Sequence, residues 1–168
     1  MASERSLSRR QLLAAGSAAG LVAVLPRTVQ ADGSGDLVGS WEATVTATDP
    51  PLGEFASLMS FHPGGVFIES RRYYVPATPL GPLLETTGHG AWRKSSDGNF
   101  EVFFRFLLQE APPSSGTPIG TDNIRLKLEL VRASDTIKGT FESTLRDTQG
   151  LVIFTVLGTV AGRRITVG

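Results

Sequence analysis

Glu69, Arg71 and Tyr73 recur at every second position of one stretch of the chain. In an extended backbone such residues leave the same face, so a carboxylate, a guanidinium and a phenol would share one surface. A trio of this kind can orient the polar end of a small molecule, and its carboxylate can take or give a proton. His89, set between Gly88 and Gly90, is the fourth candidate. Histidine is the usual side chain for proton transfer near neutral pH, and glycines inside a strand mark a bulge or the close approach of another backbone or a ligand. Glu69, Arg71, Tyr73 and His89 are therefore the candidate catalytic groups. Each has a competing reading: a one-residue slip turns Glu69 and Arg71 to solvent, and Gly88 and Gly90 can equally make room for Trp92 while His89 faces water.

His62 falls at a hairpin corner and reads as part of a turn. With two histidines, no cysteine and no zinc-type spacing, the chain predicts no metal site. It contains no nucleophile elbow, no His-Glu-x-x-His helix and no phosphate-cradling loop ahead of a helix, so neither a cofactor nor a recognisable catalytic motif is expected. Chemistry here would depend on what a shaped interior places side by side.

The elements that would position these groups are strands. From Gly39 onward the sequence runs in period-two stretches of about ten residues, separated by Gly, Pro, Asp and Ser clusters, and no stretch keeps a helical period. Eight strands are predicted: 41–48, 54–62, 66–75, 84–94, 100–110, from 124 to about 131, 136–146 and 151–161. The fold class is all-β, an eight-stranded antiparallel up-and-down barrel, with a β-sandwich as the alternative; short consecutive hairpins favour the barrel, which has no free edges.

The turn His62-Pro63-Gly64-Gly65-Val66 predicts a type I turn with Gly65 left-handed, pairing Phe61 with Phe67. In that register Phe55, Ser57, Met59 and Phe61 face the same side as Phe67, Glu69, Arg71 and Tyr73. Ile124, Leu126, Leu128 and Leu130 form one face of the sixth strand, and Ile137, Gly139, Phe141, Ser143 and Leu145 one face of the seventh. The expected ligand cavity is accordingly Met59, Phe61, Phe67, Tyr73, Leu126, Leu128 and Phe141, with the segments Pro76–Pro82 and Ala111–Gly120 at its mouth. Phe103 and Leu107 lie opposite Phe104 and Phe106, which makes the strand Phe100–Leu108 a candidate homodimer surface.

The N-terminal segment carries an address. Arg9-Arg10 stands before an uncharged run from Leu12 to Leu25, 14 residues long and too short to span a bilayer, and Val29-Gln30-Ala31 offers small residues for a signal peptidase. This resembles a twin-arginine export signal, which predicts a cleaved leader at 1–31 and a mature domain at 32–168. The location implied is periplasmic or extracellular, with no membrane span after cleavage. Losing Arg5, Arg9, Arg10, Arg27 and Glu4 takes 16 charges of each sign to 12 basic and 15 acidic, net −3. A mildly acidic domain without a basic run is not expected to bind nucleic acid.

Gly39-Ser40-Trp41 at the first strand and Arg163-Arg164 at the last resemble the Gly-x-Trp and late arginine of lipocalins, within the calycin superfamily. Gly88-His89-Gly90-Ala91-Trp92 before a Phe-rich strand is similar to small exported bacterial lipocalin-like domains. The Thr-Asp-Tyr segment, C-terminal helix and disulfide of the transport lipocalins are missing. The resemblance implies that Trp41 closes one end of a cup and that Arg163 or Arg164 packs across its ring. The mixed inner face expected of strands two and three, aromatic with a carboxylate, a guanidinium and a phenol, suits a small apolar or amphipathic molecule held in the interior. The alternatives are a cyclase- or isomerase-type enzyme using the same cavity, and a structural envelope protein with a filled barrel.

Overall fold

Strands with one dry face can hide every dry face, and every edge, by curling into a ring. The computed structural model, which describes residues 36–75, 78, 80–113 and 116–167, has this arrangement. Its strands are β1 (Gly39–Asp49), β2 (Gly53–Phe61), β3 (Val66–Arg71), β4 (Tyr74–Val75), β5 (Leu83–Glu85), β6 (Gly88–Lys94), β7 (Phe100–Glu110), β8 (Pro118–Val131), β9 (Thr136–Asp147) and β10 (Val152–Arg164). All belong to one antiparallel sheet.

Segments β5 and β6 pair successive stretches of β7, so they form a single stave broken at Thr86-Thr87. β3 and β4 form another, broken at Arg72-Tyr73. The result is eight staves in sequence order. β1 pairs with β10, from Trp41 against Arg164 to Asp49 against Leu157, and this ladder closes the ring. Closure selects the barrel over the sandwich. The leader 1–31, with Arg9, Arg10 and Ala31, lies outside the described residues.

Phe61 does pair with Phe67, which fixes the expected register of β2 and β3. The turn between them is corrected: Gly64 has φ +83° and Gly65 φ +87°, and a positive φ at the third turn position belongs to type II rather than type I. β8 begins at Pro118, inside the segment expected to be loop. Gly120 to Asn123 are poor strand formers, but β7 pairs them on one side and β9 on the other, and two neighbouring ladders override local preference.

One end of the barrel is closed and filled. Trp41, Phe61, Phe67, Phe100 and Leu128 are fully buried there, and the ring centroids of Phe61 and Phe67 lie 4.9 Å apart. The Trp41 indole donates to the Leu37 carbonyl at 3.0 Å. The Arg164 guanidinium lies 4.3 Å above the Trp41 ring and donates to Asp135 at 2.8 Å, to the Val38 carbonyl at 2.7 Å and to the Asp36 carbonyl. Gly39 is needed for this: a Cβ there would come within 2.8 Å of Arg164 Nη1. Arg163 points outward instead and pairs with Glu42 at 2.8 Å, because adjacent residues of a strand face opposite sides.

The other end is irregular. Register shifts at Ala47/Asp49, Leu108/Gln109 and Val152/Phe154 all fall there, at the rim where bulges commonly loosen a barrel. It is this end that holds a cavity.

Candidate functional site

The cavity at the open end has a volume of about 110 Å³. An apolar cavity of ~150 Å³ holds benzene; this one is smaller but open, so it would take part of a small ring or a short chain whose remainder extends through the mouth. Its apolar wall comes from Ala47, Leu52, Phe55, Val75, Leu83, Phe141, Leu145, Phe154 and Val156, and its polar wall from Arg71, Arg72, Thr78, Glu85, Asp122 and Ser143. Below it lies a void of about 10 Å³ bounded by Glu69, Arg71, Met59, Leu126, Phe141 and their neighbours. Arg71 and Phe141 line both spaces and separate them.

The polar wall is a buried ionic cluster. Period two along β3 turns Glu69 and Arg71 inward, opposite Met59 and Ser57 of β2. Arg71 donates to both oxygens of Glu85 on β5, at 2.8 and 2.9 Å, and to Asp122 Oδ2 on β8 at 3.2 Å. Its guanidinium also lies 4.2 Å from the Phe106 ring centroid and 5.2 Å from that of Phe55. Ser143 on β9 donates to Asp122 Oδ1 at 2.6 Å, and Ser57 donates to Glu69 Oε1 at 2.7 Å. Glu69 Oε2 is buried without a hydrogen-bond partner among the described residues.

Burial governs the protonation of these groups. Removal from water pushes the Asp122 carboxyl up to about 6 against the pull of Arg71, and the neighbouring Glu85 charge adds to the rise. Glu69 is likewise raised, first by burial, with Arg71 and the Ser57 hydrogen bond opposing. Burial alone would lower Arg71, but the attraction of Glu85, Glu69 and Asp122 outweighs it and holds the guanidinium charged. The site therefore combines one buried permanent cation, a carboxyl group, Asp122, that exchanges a proton at mildly acid pH, and aromatic walls.

Of the expected cavity residues, Phe141 lines the cavity, and Met59 and Leu126 line the void beneath it. Phe61, Phe67 and Leu128 are packed into the closed half. Tyr73 does not face inward: it is 70% exposed. The reason is the break after Arg71, where the chain leaves β2 and takes up pairing with β5 alone. Glu69 and Arg71 are brought together, whereas His89 stands on the outer surface of β6. Its flanking glycines serve packing, since a Cβ on Gly88 would lie 2.8 Å from the Phe106 ring and one on Gly90 2.0 Å from the Phe103 carbonyl oxygen. Phe103 and Leu107 are 45% and 55% exposed on the outside of β7.

Glu85 and Asp122 are functional candidates that sequence reasoning missed. Asp122 sits in Gly120-Thr121-Asp122-Asn123, which has the composition of a turn. Extending the period of Ile124, Leu126 and Leu128 backward by two residues would have put it on the inner face. Among the described residues no group of His, Asp and Glu is arranged to hold a metal ion. A scan against protein-family models finds no match for this chain, and a search of curated proteins also finds none.

Proposed function

We propose that this chain is an exported, lipocalin-like cup that binds a small amphipathic molecule at its open end. The observation that carries the reading is the asymmetry of the interior: the half beneath Trp41 is packed, while the half beneath the mouth holds an apolar-walled cavity with a buried ionic cluster at its base. Apolar walls with a few placed polar groups are the usual composition of small-molecule sites. A structural protein with a filled barrel would have no use for the cavity. The stacking of Arg164 on Trp41, with Gly39 giving it room, supports the calycin likeness, and the twin-arginine leader supports export to the periplasm or medium.

A second reading, isomerase- or cyclase-type catalysis, draws support from Asp122, a carboxyl raised to about 6 on the wall of an apolar cavity and so suited to proton transfer near neutral pH. Tyr73 and His89 contribute nothing to it. Native mass spectrometry of the protein purified from its own host's envelope or medium, followed by denaturing extraction, tests the proposal. A stoichiometric small molecule that is absent from a Val75→Trp variant of unchanged fold is the expected result. Protein that is empty from every source, or a ligand indifferent to Val75→Trp, would overturn binding in this cavity.

A further inference from the structure

Resting on the binding reading above, we propose that the polar end of the ligand is a protonated amine, carried on a small ring or short apolar chain, and that it docks against Asp122 and Glu85. Arg71 invites the opposite conclusion, a ligand carboxylate, but three of its five N–H donors are already spent on carboxyl groups of the protein. Nε and Nη2 are already committed to Glu85, and Nη2 also to Asp122. Three carboxyl groups surround this one buried cation, with Glu69 1% and Asp122 2% exposed and the Glu85 side chain 6% exposed. Arg72, the other cation on the cavity wall, is exposed at the rim, where water screens it.

Acceptors are also in surplus. Each carboxylate oxygen has two lone pairs, giving Asp122 and Glu85, the two acidic residues on the cavity wall, about eight acceptor sites. The hydrogen bonds from Ser143 and Arg71 occupy about half of them. Glu69 Oε2, on the void beneath the cavity, accepts none among the described residues. What the cluster has in excess is acceptors, which a positively charged donor would complement. An ammonium group brings three donors, no acceptor and one positive charge. A ligand carboxylate would add a like charge and further acceptors, and burying it unpaired is costly. The aromatic wall agrees, since Phe55 already presents its ring to the Arg71 cation at 5.2 Å, and ring faces of this kind favour cations.

Four probes of one shape separate the possibilities: benzylamine, benzyl alcohol, toluene and benzoate, titrated at millimolar concentration into the protein at pH 7.5 and followed by amide chemical shifts. Benzylamine should bind about tenfold more tightly than benzyl alcohol, as a charge-assisted hydrogen bond replaces a neutral one, and benzoate should bind weakest. Asp122→Asn should abolish that preference while toluene still binds, and Glu85→Gln gives the same comparison if Asp122→Asn does not fold. The preference should also fall at pH 5, where Asp122 takes up a proton; Arg71 and Glu69 of β3 and Glu85 of β5 are the charged or titratable groups that face it, with Ser143 of β9. Toluene or benzoate binding as well as benzylamine would overturn the amine assignment and leave the cup intact. Failure of all four would overturn both.

Discussion

Asp122 allows the reasoning about the buried cluster to be tested without any ligand. Its carboxyl is raised from an ordinary value of 3.8 to about 6 in the folded protein, chiefly by burial. Between these two values the native state holds a proton that the unfolded chain has lost, so stability falls as pH rises and levels off above about 6. Integrated over pH 4.5 to 7, a single group with these values contributes a loss of roughly 2 kcal/mol. Glu69 is raised as well and acts in the same direction. Asp36 and Asp97 are lowered, the first by Arg132 and the second, to about 2, by Ser95 and Asn99; they stabilise above the ordinary carboxylate range and lose that effect only below it, outside this window. Urea denaturation at half-unit steps of pH should therefore show the protein most stable at the acid end. Asp122→Asn keeps the size of the side chain and cannot titrate, so its curve should be distinctly flatter. A native protein whose stability rises from pH 4.5 to 7, or an Asp122→Asn variant with the native slope, would refute the claim that this carboxyl is buried at a cost.

Two further substitutions probe how the barrel is held. Gly39→Ala places a Cβ 2.8 Å from Arg164 Nη1 at a residue with φ +134°, so it should cost about 1–3 kcal/mol in urea denaturation and loosen the closed end first, seen as a change in Trp41 fluorescence. Gly90→Ala drives a Cβ to 2.0 Å from the Phe103 carbonyl oxygen and should prevent folding or separate β6 from β7 in hydrogen exchange, whereas the neighbouring His89→Ala, on the outer surface, should change stability by less than about 0.5 kcal/mol.

Those two glycines show what was legible in the sequence and what was not. Period two was enough to read the staves, because each strand of a closed barrel has a dry face and a wet face; the hairpin suggested Phe61 against Phe67 but left a one-residue slip open, and the β2–β3 ladder decides for the register that turns Glu69 and Arg71 inward. What period two does not carry is where a strand stops alternating. Tyr73 continued the pattern of Glu69 and Arg71 on paper, yet the stave breaks at Arg72-Tyr73 and the phenol is exposed. Asp122 failed the other way, since its neighbours look like a turn and only the ladders on both sides make them a strand. Both errors fall in the open half of the barrel, Tyr73 because a stave breaks there and Asp122 because its neighbours have the composition of a turn. His89 drew attention because flanking glycines bring something close, and they do, but what approaches is the β7 backbone and the Phe106 ring. A sequence records that space has been cleared; only the fold says for which neighbour. The same logic bears on Arg71, which from sequence is a cation available to an anion and in the folded barrel is already bound by Glu85 and Asp122. Its presence in the cavity is therefore evidence about the carboxyl groups it holds in place.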